Sequence, residues 1–447
     1  MTPPEIDQDD LSAIRAKMDR IALVRDCEIR RWLADFVRTA AAIAAQGCHC
    51  QQAAGQYGRS QYAHLSIIRS VSQENPSSDA VETALTEAPE ASPSLPADST
   101  SLELSVIVPA RNEEGCLGAC LQSLVAQSEE FFLLGRDWEI LVVDDGSTDR
   151  TRAIAQSFPQ VTVIDPRLVN GKLEKGWTGK ANACQTGADQ ARGKWLLFTD
   201  ADTIHEPGNL RRAIHEAEKY QVGMLSYSPR QIVSGLWQRA LMPLVFSELA
   251  LAYPPEKVSN PALRIAAANG QFLLVSRSAY KALGGHASVK SNILEDVELA
   301  FLAKRRKVGL RFRYAADSLS TRMYRSTAAM IEGWTKNLAL LFGNALILAM
   351  WRVLDIFLLI GLPILAWKLR NYGIQYVPWF TAGTLLLLLW LRNLWRFYAR
   401  VAKSNFPALD CALSPLALPL FSFLLYRSWF QKTILHRVAW KGRSYPA

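Results

Sequence analysis

Residues 104–114 read LSVIVPARNEE and residues 139–151 read EILVVDDGSTDRT. In both stretches a short run of β-branched and aliphatic residues is followed by turn-forming residues and acidic side chains. Such runs predict buried strands, and strands that end in a turn before a helix are typical of an α/β sheet. Because open α/β sheets bind their ligands at the carboxyl ends of strands, we expect the acidic residues to line a binding site.

Three segments further along the chain continue this arrangement. They read GWTGKANA at 176–183, LLFTDADT at 196–203 and ILEDVELA at 293–300. Asp200 and Asp202 follow an apolar run, and carboxylates at a strand end can hold a divalent cation, Mn²⁺ or Mg²⁺. Such a cation would stabilise the negative charge that develops on a nucleotide diphosphate leaving group. The alternative is a solvated Asp-rich turn that caps the next helix.

Two adjacent carboxylates end the predicted strand at 140–143. Asp144 and Asp145 can accept hydrogen bonds from the uracil N–H and the ribose hydroxyls of a nucleoside. The same segment predicts a strand-to-helix turn with Ser147 or Asp149 as the N-cap. The two interpretations are compatible.

A lysine and a second acidic pair complete the candidates from these motifs. Lys180 stands at a predicted helix start after two glycines, where backbone N–H groups and an ammonium can face a phosphate. Glu295 and Asp296 open an apolar-periodic stretch. Transfer of a sugar to an alcohol needs a carboxylate that takes the acceptor proton, and Asp296 is our candidate for that base. The alternative for the acidic pair is a first helical turn stabilised by the helix dipole.

Residues 104 to about 337 resemble a family 2 glycosyltransferase of the GT-A type, a nucleotide-sugar-binding, Rossmann-like α/β domain. The matching segments are 109–114, 144–147, 200–202 and 295–296, in this order. The resemblance implies that Asp144 and Asp145 hold the nucleoside, Asp202 the metal, and that Asp296 is the base of an inverting transfer. Asn269, Gly270 and Gln271 fall where such enzymes shape the sugar or acceptor pocket. We therefore predict substrate contacts for Pro109, Arg111, Glu113, Asp144, Asp145, Lys180, Asp200, Asn269, Gly270, Gln271 and Glu295.

One signature of processive polysaccharide synthases and of ceramide glucosyltransferases is missing. Where those enzymes have Gln-x-x-Arg-Trp, residues 321–326 read TRMYRS. We therefore expect transfer of a single sugar rather than polymerisation.

Membrane attachment is predicted from the C-terminal part of the chain. From residue 338 onward the apolar blocks are 353–367, 374–391 and 413–426, and only the second has a comfortable spanning length. Pro415 and Pro419 favour a re-entrant or interfacial third block, although 338–350 could span with it. Basic residues follow the second and third blocks. We therefore expect these basic segments, and the catalytic domain, to lie on the cytoplasmic side of the cytoplasmic membrane. The net charge of +9 then suits anionic lipid better than nucleic acid, for which there is no motif.

Two helical stretches can contact this membrane. The stretch 236–253 is either a core helix or an interfacial helix that offers a lipid a path to the site. The stretch 330–337 is a second amphipathic candidate, with Trp334 at the membrane boundary.

The N-terminal hundred residues are different in character. Apolar residues at helical spacing predict one amphipathic helix to about residue 45, which can dock or self-associate. Residues 72–101 have the Pro, Ser and acidic composition of a flexible linker. Cys48-His49-Cys50 has no second pair at zinc spacing, and we leave His205 and His286 outside the metal set. The predicted organisation is a helical extension at 1–71, the linker at 72–101, the catalytic domain at 102–337 and a membrane region at 338–447.

The sequence therefore predicts a membrane-attached inverting glycosyltransferase. It would move one sugar from a nucleotide diphosphate sugar, first of all a UDP-sugar, to a hydroxyl of a membrane lipid. The layout resembles bacterial enzymes that glycosylate carotenoids, with hopanoid-associated relatives close behind, which implies a carotenoid or other isoprenoid acceptor. A polyprenyl-phosphate acceptor and a catalytically silent scaffold remain the alternatives.

Overall fold

The computed structural model of the chain describes residues 102–171, 173, 175–371, 379–440 and 443–446. The predicted N-terminal helix with its self-association, the acidic linker and the Cys48-His49-Cys50 cluster lie outside the described residues.

The centre of the described chain is a seven-stranded sheet with the order β3-β2-β1-β4-β8-β6-β9. Six strands run parallel to one another and β8 runs antiparallel between β4 and β6. The strands are β1 (Leu104–Ala110), β2 (Trp138–Asp144), β3 (Val161–Ile164), β4 (Trp195–Phe198), β6 (Met224–Ser228), β8 (Leu273–Ser276) and β9 (Leu310–Tyr314). This sheet confirms the predicted α/β class.

A smaller three-stranded sheet lies next to the ends of the main sheet. Its order is β5-β10-β7, from β5 (Thr203–His205), β7 (Arg230–Gln231) and β10 (Leu319–Thr321). Because β5 begins immediately after Asp202 and pairs with β10, this sheet joins the acidic turn to the TRMYRS segment. Near the C-terminus, β11 (Arg437–Trp440) pairs with β12 (Arg443–Pro446).

Helices cover both faces of the main sheet, because alternate residues of its strands are apolar on both sides. Val106 and Val108 of β1 belong to one buried cluster, whereas Ile107 belongs to the cluster on the opposite face. The helices of this part are α1 (Leu117–Val125), α2 (Thr151–Gln156), α3 (Pro166–Asn170), α4 (Gly179–Gln190), α5 (Asn209–Lys219), α6 (Gly235–Ala252), α7 (Pro255–Ser259), α8 (Arg277–Leu283) and α9 (Glu295–Arg305).

The C-terminal part is helical. It contains α10 (Thr327–Leu341), α11 (Ala345–Ile356), a π-helical turn at Phe357–Gly361, α12 (Leu362–Asn371), α13 (Trp379–Val401) and α14 (Ala408–Thr433). Within the described residues, two helical segments are long and apolar enough to cross a membrane, Ala345–Lys368 and Ala408–Thr433. Side chains such as Trp351, Phe357 and Ile364 are at least half exposed, which fits membrane association.

These helices correct the predicted pattern of spans. The first and third apolar blocks lie in helices of spanning length, so the expectation that only the second block is long enough is wrong. The third block is one continuous helix that includes Pro415 and Pro419. Residues 338–350 do not form a span, because α10 ends at Leu341 and α11 begins at Ala345.

The stretch 236–253 is a core helix at its centre. In α6, Leu241, Leu244 and Val245 are buried in a cluster with residues of α10 and α14, whereas Leu236 and Trp237 at its start are exposed. Trp334 of α10 does not lie at a boundary: it is 2% exposed and its ring packs edge-on against Phe246. The expected boundary position of Trp334 is therefore wrong, because α10 buries this face against α6.

Buried ion pairs join α6 to the apolar helices. Arg352 of α11 contacts Glu248 of α6 at 2.6 Å and Asp355 at 3.3 Å, and Arg400 of α13 contacts Asp355 at 2.6 Å. Arg239 near the start of α6 contacts Asp410 of α14, also at 2.6 Å. Breaking a buried pair leaves an uncompensated charge, so these contacts fix the apolar helices to the rest of the fold.

The turn before β4 supplies a stability prediction. A Cβ at Gly193 would lie 2.4 Å from the backbone nitrogen of Ser105 and 2.5 Å from the carbonyl carbon of Leu104. We expect Gly193→Ala to lower the free energy of unfolding by about 1–3 kcal/mol, because the backbone of β1 has to move. The measurement is thermal unfolding of the full chain in detergent.

Gly118→Ala is the matched control. In helix α1 the nearest atom to an added Cβ is Cγ2 of Ile154 at 3.6 Å, so this change should leave stability unchanged or raise it by up to about 1 kcal/mol. Equal melting temperatures for the two variants would contradict the predicted clash.

Candidate active site

The predicted motifs meet in one cavity of about 560 Å³ at the carboxyl ends of β1 and β4. Among the residues predicted from sequence, the cavity is lined by Pro109, Arg111, Glu113, Asp145, Lys180, Asp200, Asp202, Asn269, Gly270, Gln271, Glu295 and Asp296. Asp144 is the predicted residue that does not line it.

Asp144 has a structural position instead. Its side chain is buried, and its Oδ1 accepts a hydrogen bond from the backbone N–H of Ser147 at 3.0 Å. Arg152 approaches the other carboxylate oxygen at 3.9 Å. Asp144 therefore supports the turn that presents Asp145 to the cavity.

One end of the cavity is formed by the turns after β1 and β2. Arg111 contacts Asp145 at 3.7 Å, and the backbone N–H of Glu113 donates to Thr151 Oγ1 at 2.8 Å. Burial and the neighbouring charge of Asp144 raise the pKa of Asp145 to about 6. A carboxylate with a raised pKa is stabilised when N–H or O–H donors reach it, as the hydroxyls of a ribose can.

Lys180 connects three elements at the centre of the cavity. Its Nζ lies 2.8 Å from Asp200 Oδ1 after β4 and 2.9 Å from Glu295 Oε1 at the start of α9. Lys180 itself is in the first turn of α4, whose N-cap Thr178 accepts a hydrogen bond from the backbone N–H of Ala181. Burial opposes the charge of Lys180, but Asp200 and Glu295 outweigh it and hold the pKa of the ammonium well above its usual value.

Asp296 is held by two backbone donors. The N–H of Gly270 donates to its Oδ2 at 2.6 Å, and the N–H of Val297 donates to its Oδ1 at 2.8 Å. Burial and the charge of Glu295 raise the pKa of Asp296 to about 6. Both sequence interpretations of this residue are compatible with its position, because Asp296 stands in the first turn of α9 and also faces the cavity.

Gly270 is required by this packing. A Cβ at this position would lie 2.8 Å from Lys180 Nζ and 3.3 Å from Asp296 Oδ2. A side chain at this position would require the Lys180 ammonium and the Asp296 carboxylate to shift.

The side chain of Asp202 has one buried oxygen, Oδ1, without a hydrogen-bond partner among the described residues. The backbone carbonyl of Asp202 accepts from Thr321 Oγ1 at 3.2 Å. Burial, followed by the charges of Asp200 and Glu113, raises the pKa of the Asp202 carboxyl. A divalent cation would satisfy this oxygen and remove the cost of its burial.

The described residues do not bring together three or more His, Cys, Asp or Glu side chains as a metal cluster. Asp202 would thus be one protein ligand, and substrate phosphates and water would supply the others, as is common for Mg²⁺. His205 and His286 are elsewhere, buried against Thr199 and Tyr280, with pKa values that burial lowers to about 3.

Sequence reasoning missed a second wall of the cavity. Arg322, Tyr324 and Arg325 after β10, and Lys336 and Asn337 of α10, also line it. The two segments were noticed only as a replaced signature and as a membrane-boundary helix. The signal available was a lysine and an asparagine adjacent in an otherwise apolar helix, but the face on which they stand depends on how α10 packs.

The pKa of Lys336 is lowered to about 8, mainly by burial. The positive charge of Lys180 contributes in the same direction, while Glu295 and Asp296 oppose it. The charges of Lys180, Glu295 and Asp296 therefore act on the Lys336 ammonium.

Residues 105–284 match the family described as Glycosyl transferase family 2. The chain is 27% identical over 359 residues to the 4,4'-diaponeurosporenoate glycosyltransferase of Staphylococcus aureus strain MRSA252, which covers 76% of this chain and 88% of the relative. Among solved structures, the mannosyltransferase PcManGT from Pyrobaculum calidifontis, in complex with GDP-Man and Mn²⁺, is 18% identical with a TM-score of 0.39 and covers 75% of this chain and 88% of that one.

A TarS structure from S. aureus in complex with UDP-GlcNAc is 16% identical, with a TM-score of 0.35 over 77% of this chain and 97% of the other. The family match contains most of β1, the Asp144-Asp145 turn, Lys180 and the Asp200-Ala201-Asp202 turn, whereas Glu295, Asp296 and the cavity-lining residues after β10 lie beyond residue 284. The chain is therefore a glycosyltransferase whose residues 105–284 form a family 2 domain.

Proposed function

We propose that the chain transfers one sugar from a nucleotide diphosphate sugar, first of all a UDP-sugar, to a hydroxyl of a membrane lipid with inversion at the anomeric carbon. One observation carries the proposal. Asp296 faces the donor cavity, fixed by the N–H groups of Gly270 and Val297, on a site whose second wall is packed against helices of membrane-spanning length.

The charges of the cavity support a donor that binds together with a divalent cation. Its described lining contains the six carboxylates of Glu113, Asp145, Asp200, Asp202, Glu295 and Asp296 and the five cations of Arg111, Lys180, Arg322, Arg325 and Lys336. A diphosphate adds further negative charge to a site whose carboxylates already outnumber its cations. A Mn²⁺ or Mg²⁺ ion on Asp202 would supply the compensating charge. Asp145 and Arg111 are proposed to contact the nucleoside.

The transfer requires one proton acceptor. As the acceptor oxygen forms its bond to the anomeric carbon, its O–H proton moves to the Asp296 carboxylate. The bond from that carbon to the diphosphate oxygen breaks with its electron pair, and the nucleotide leaves. Lys180 holds Asp200 and Glu295 in place on either side of the reacting groups.

The acceptor class is supported by the apolar helices and by the curated relative. The name of that relative denotes an isoprenoid carboxylate, and its sequence aligns with 76% of this chain. For this chain we propose a hydroxyl on a carotenoid or other isoprenoid. A carboxylate acceptor has no proton to give, and the negative charge of Asp296 would repel it.

The domain limits and the membrane side remain part of the proposal. We assign residues 102–337 to the catalytic domain and 338–447 to the membrane region, with the catalytic domain on the cytoplasmic side. The test of the function uses membranes that contain the full chain, a panel of labelled nucleotide sugars and extraction of the lipid phase. Label in a lipid that carries a hydroxyl supports the proposal, whereas label only in water-soluble products contradicts it.

We predict that Asp296→Asn reduces kcat for lipid glycosylation by about 10²–10⁴-fold, because the proton acceptor is lost. The dissociation constant of the nucleotide sugar should change less than about threefold, since Asp296 acts on the other substrate. Isothermal titration and initial-rate assays on the same preparation measure the two quantities. A parallel loss of donor affinity would move Asp296 to donor binding.

The pH dependence of the wild-type enzyme follows from the raised pKa of Asp296. The base works only when it is deprotonated, so kcat/KM should fall as pH decreases through about 6. An unperturbed aspartate would keep activity down to its usual pKa near 3.9. A profile that stays flat from pH 7 to pH 5 contradicts the assignment.

We predict that Asp202→Asn weakens Mn²⁺ binding in the presence of the nucleotide diphosphate by at least about tenfold. The reason is that the amide keeps the shape of the carboxylate and removes its charge. Electron paramagnetic resonance of bound Mn²⁺ is a readout that does not depend on turnover. Asp189→Asn on the exposed side of α4 is the control, and unchanged Mn²⁺ binding by Asp202→Asn would overturn the metal assignment.

A further inference from the structure

One side of helix α10 faces the cavity. Ala329, Lys336 and Asn337 line the cavity, and Gly333 stands on the same side of the helix. A Cβ on Gly333 would lie 2.5 Å from the ring of Tyr324, so the absence of a side chain lets this cavity-lining ring rest directly on the helix. The ring of Tyr324 is thus held against the cavity side of α10 at Gly333.

Helix α10 also packs against α6 and against the apolar helix α14. The indole N–H of Trp334 contacts the Met242 sulfur of α6 at 3.3 Å. At the end of the helix, the backbone N–H of Ala339 donates to Ser428 of α14 at 2.8 Å, and Lys432 donates to the carbonyl of Ala339 at 2.9 Å. Helix α10 therefore lies between the cavity and the segments that can enter a membrane.

Asn337 carries an acceptor that is not used by the described residues. Its Oδ1 is buried and has no hydrogen-bond partner among them, although it belongs to a cavity-lining side chain. Buried polar atoms in native proteins are almost always bonded, so such an atom in a substrate cavity indicates a donor from the substrate. Lys336, next to it, brings an ammonium to the same wall.

We propose that Lys336 and Asn337 are specificity-determining residues that bind the hydroxyl head of the lipid acceptor, an inference that rests on the proposed function. A hydroxyl has a proton that it can donate to Asn337 Oδ1 and lone pairs that can accept from Lys336 Nζ. A carboxylate can accept from Lys336, but it has no proton for Asn337.

The position of α10 favours the acceptor over the donor sugar as the source of this hydroxyl. The proposed nucleoside contacts come from the turns after β1 and β2, whereas Lys336 and Asn337 stand on the wall formed by the helix that packs against α6 and α14. A lipid whose tail lies among the apolar helices brings its head past this wall.

The experiment measures both substrates in the full chain. Variants Asn337→Leu, which removes the amide, and Lys336→Met, which removes the charge, are compared with the wild type. The hydroxyl-bearing lipid that the wild type glycosylates best is the acceptor probe, and the nucleotide sugar is the donor probe. Each variant should raise KM for the lipid about three- to tenfold, the usual effect of one lost hydrogen bond, with donor affinity unchanged.

Conservative variants separate recognition from folding. Asn337→Asp keeps an acceptor oxygen and should retain a lower lipid KM than Asn337→Leu. Lys219→Met, on the exposed face of α5, is the control for removal of a lysine charge and should behave like the wild type. Unfolding temperatures of all variants within a few degrees of one another show that the fold is intact.

The outcomes are distinct. A lower donor affinity with unchanged lipid KM would overturn the inference and assign the pair to the donor sugar. Unchanged values for both substrates would overturn it as well. A wild type that glycosylates no lipid hydroxyl would instead defeat the proposed function, and this is seen before any variant is measured.

Discussion

The site depends on the ammonium of Lys180. Asp200 follows β4 and Glu295 opens α9, and these two carboxylates are held within 2.9 Å of Lys180 Nζ. Asp296 stands next to Glu295, and Asp202 is two residues from Asp200. Burial raises the pKa values of Asp202 and Asp296, and the charges of Asp200 beside Asp202 and of Glu295 beside Asp296 raise them further. Lys180 offsets part of this negative charge, because its single ammonium forms ion pairs with both Asp200 and Glu295.

The same constraint explains the loop at Gly270. A side chain there would press against both Lys180 and Asp296, the second of which also accepts from the backbone N–H of Gly270. The loop before β8, the first turn of α9 and the start of α4 are therefore positioned together. Substrate can bind only where this packing leaves room, which is towards the ends of β1 and β2 on one side and towards α10 on the other.

The sequence was sufficient to predict the strands that carry the acidic motifs, β1, β2 and β4, because apolar runs such as 104–108 and 140–143 end in turns whose residues have strong local preferences. The predicted site residues, with the exception of Asp144, line one cavity for the same reason, since parallel strands end at one edge of the sheet. Asp144 and Asp145 are adjacent and chemically identical, so sequence could not tell which one points into the turn. Lys336 and Asn337 were missed because a helix that packs on two sides has no clear polar face.

The presence of candidate membrane helices was predicted, but which of them have spanning length was predicted wrongly, for a related reason. Length and proline content of an apolar block do not reveal where a helix begins, and Pro415 and Pro419 lie inside α14 because its first turns pack against α6. Buried charges such as Arg352 and Glu248 also interrupt apolar runs in the sequence while they hold the helices together in the fold. These contacts place α10 between the catalytic cavity and the apolar helices. Under the proposed function, this arrangement would let a lipid acceptor keep its tail in apolar surroundings while only its head enters the cavity next to Asp296.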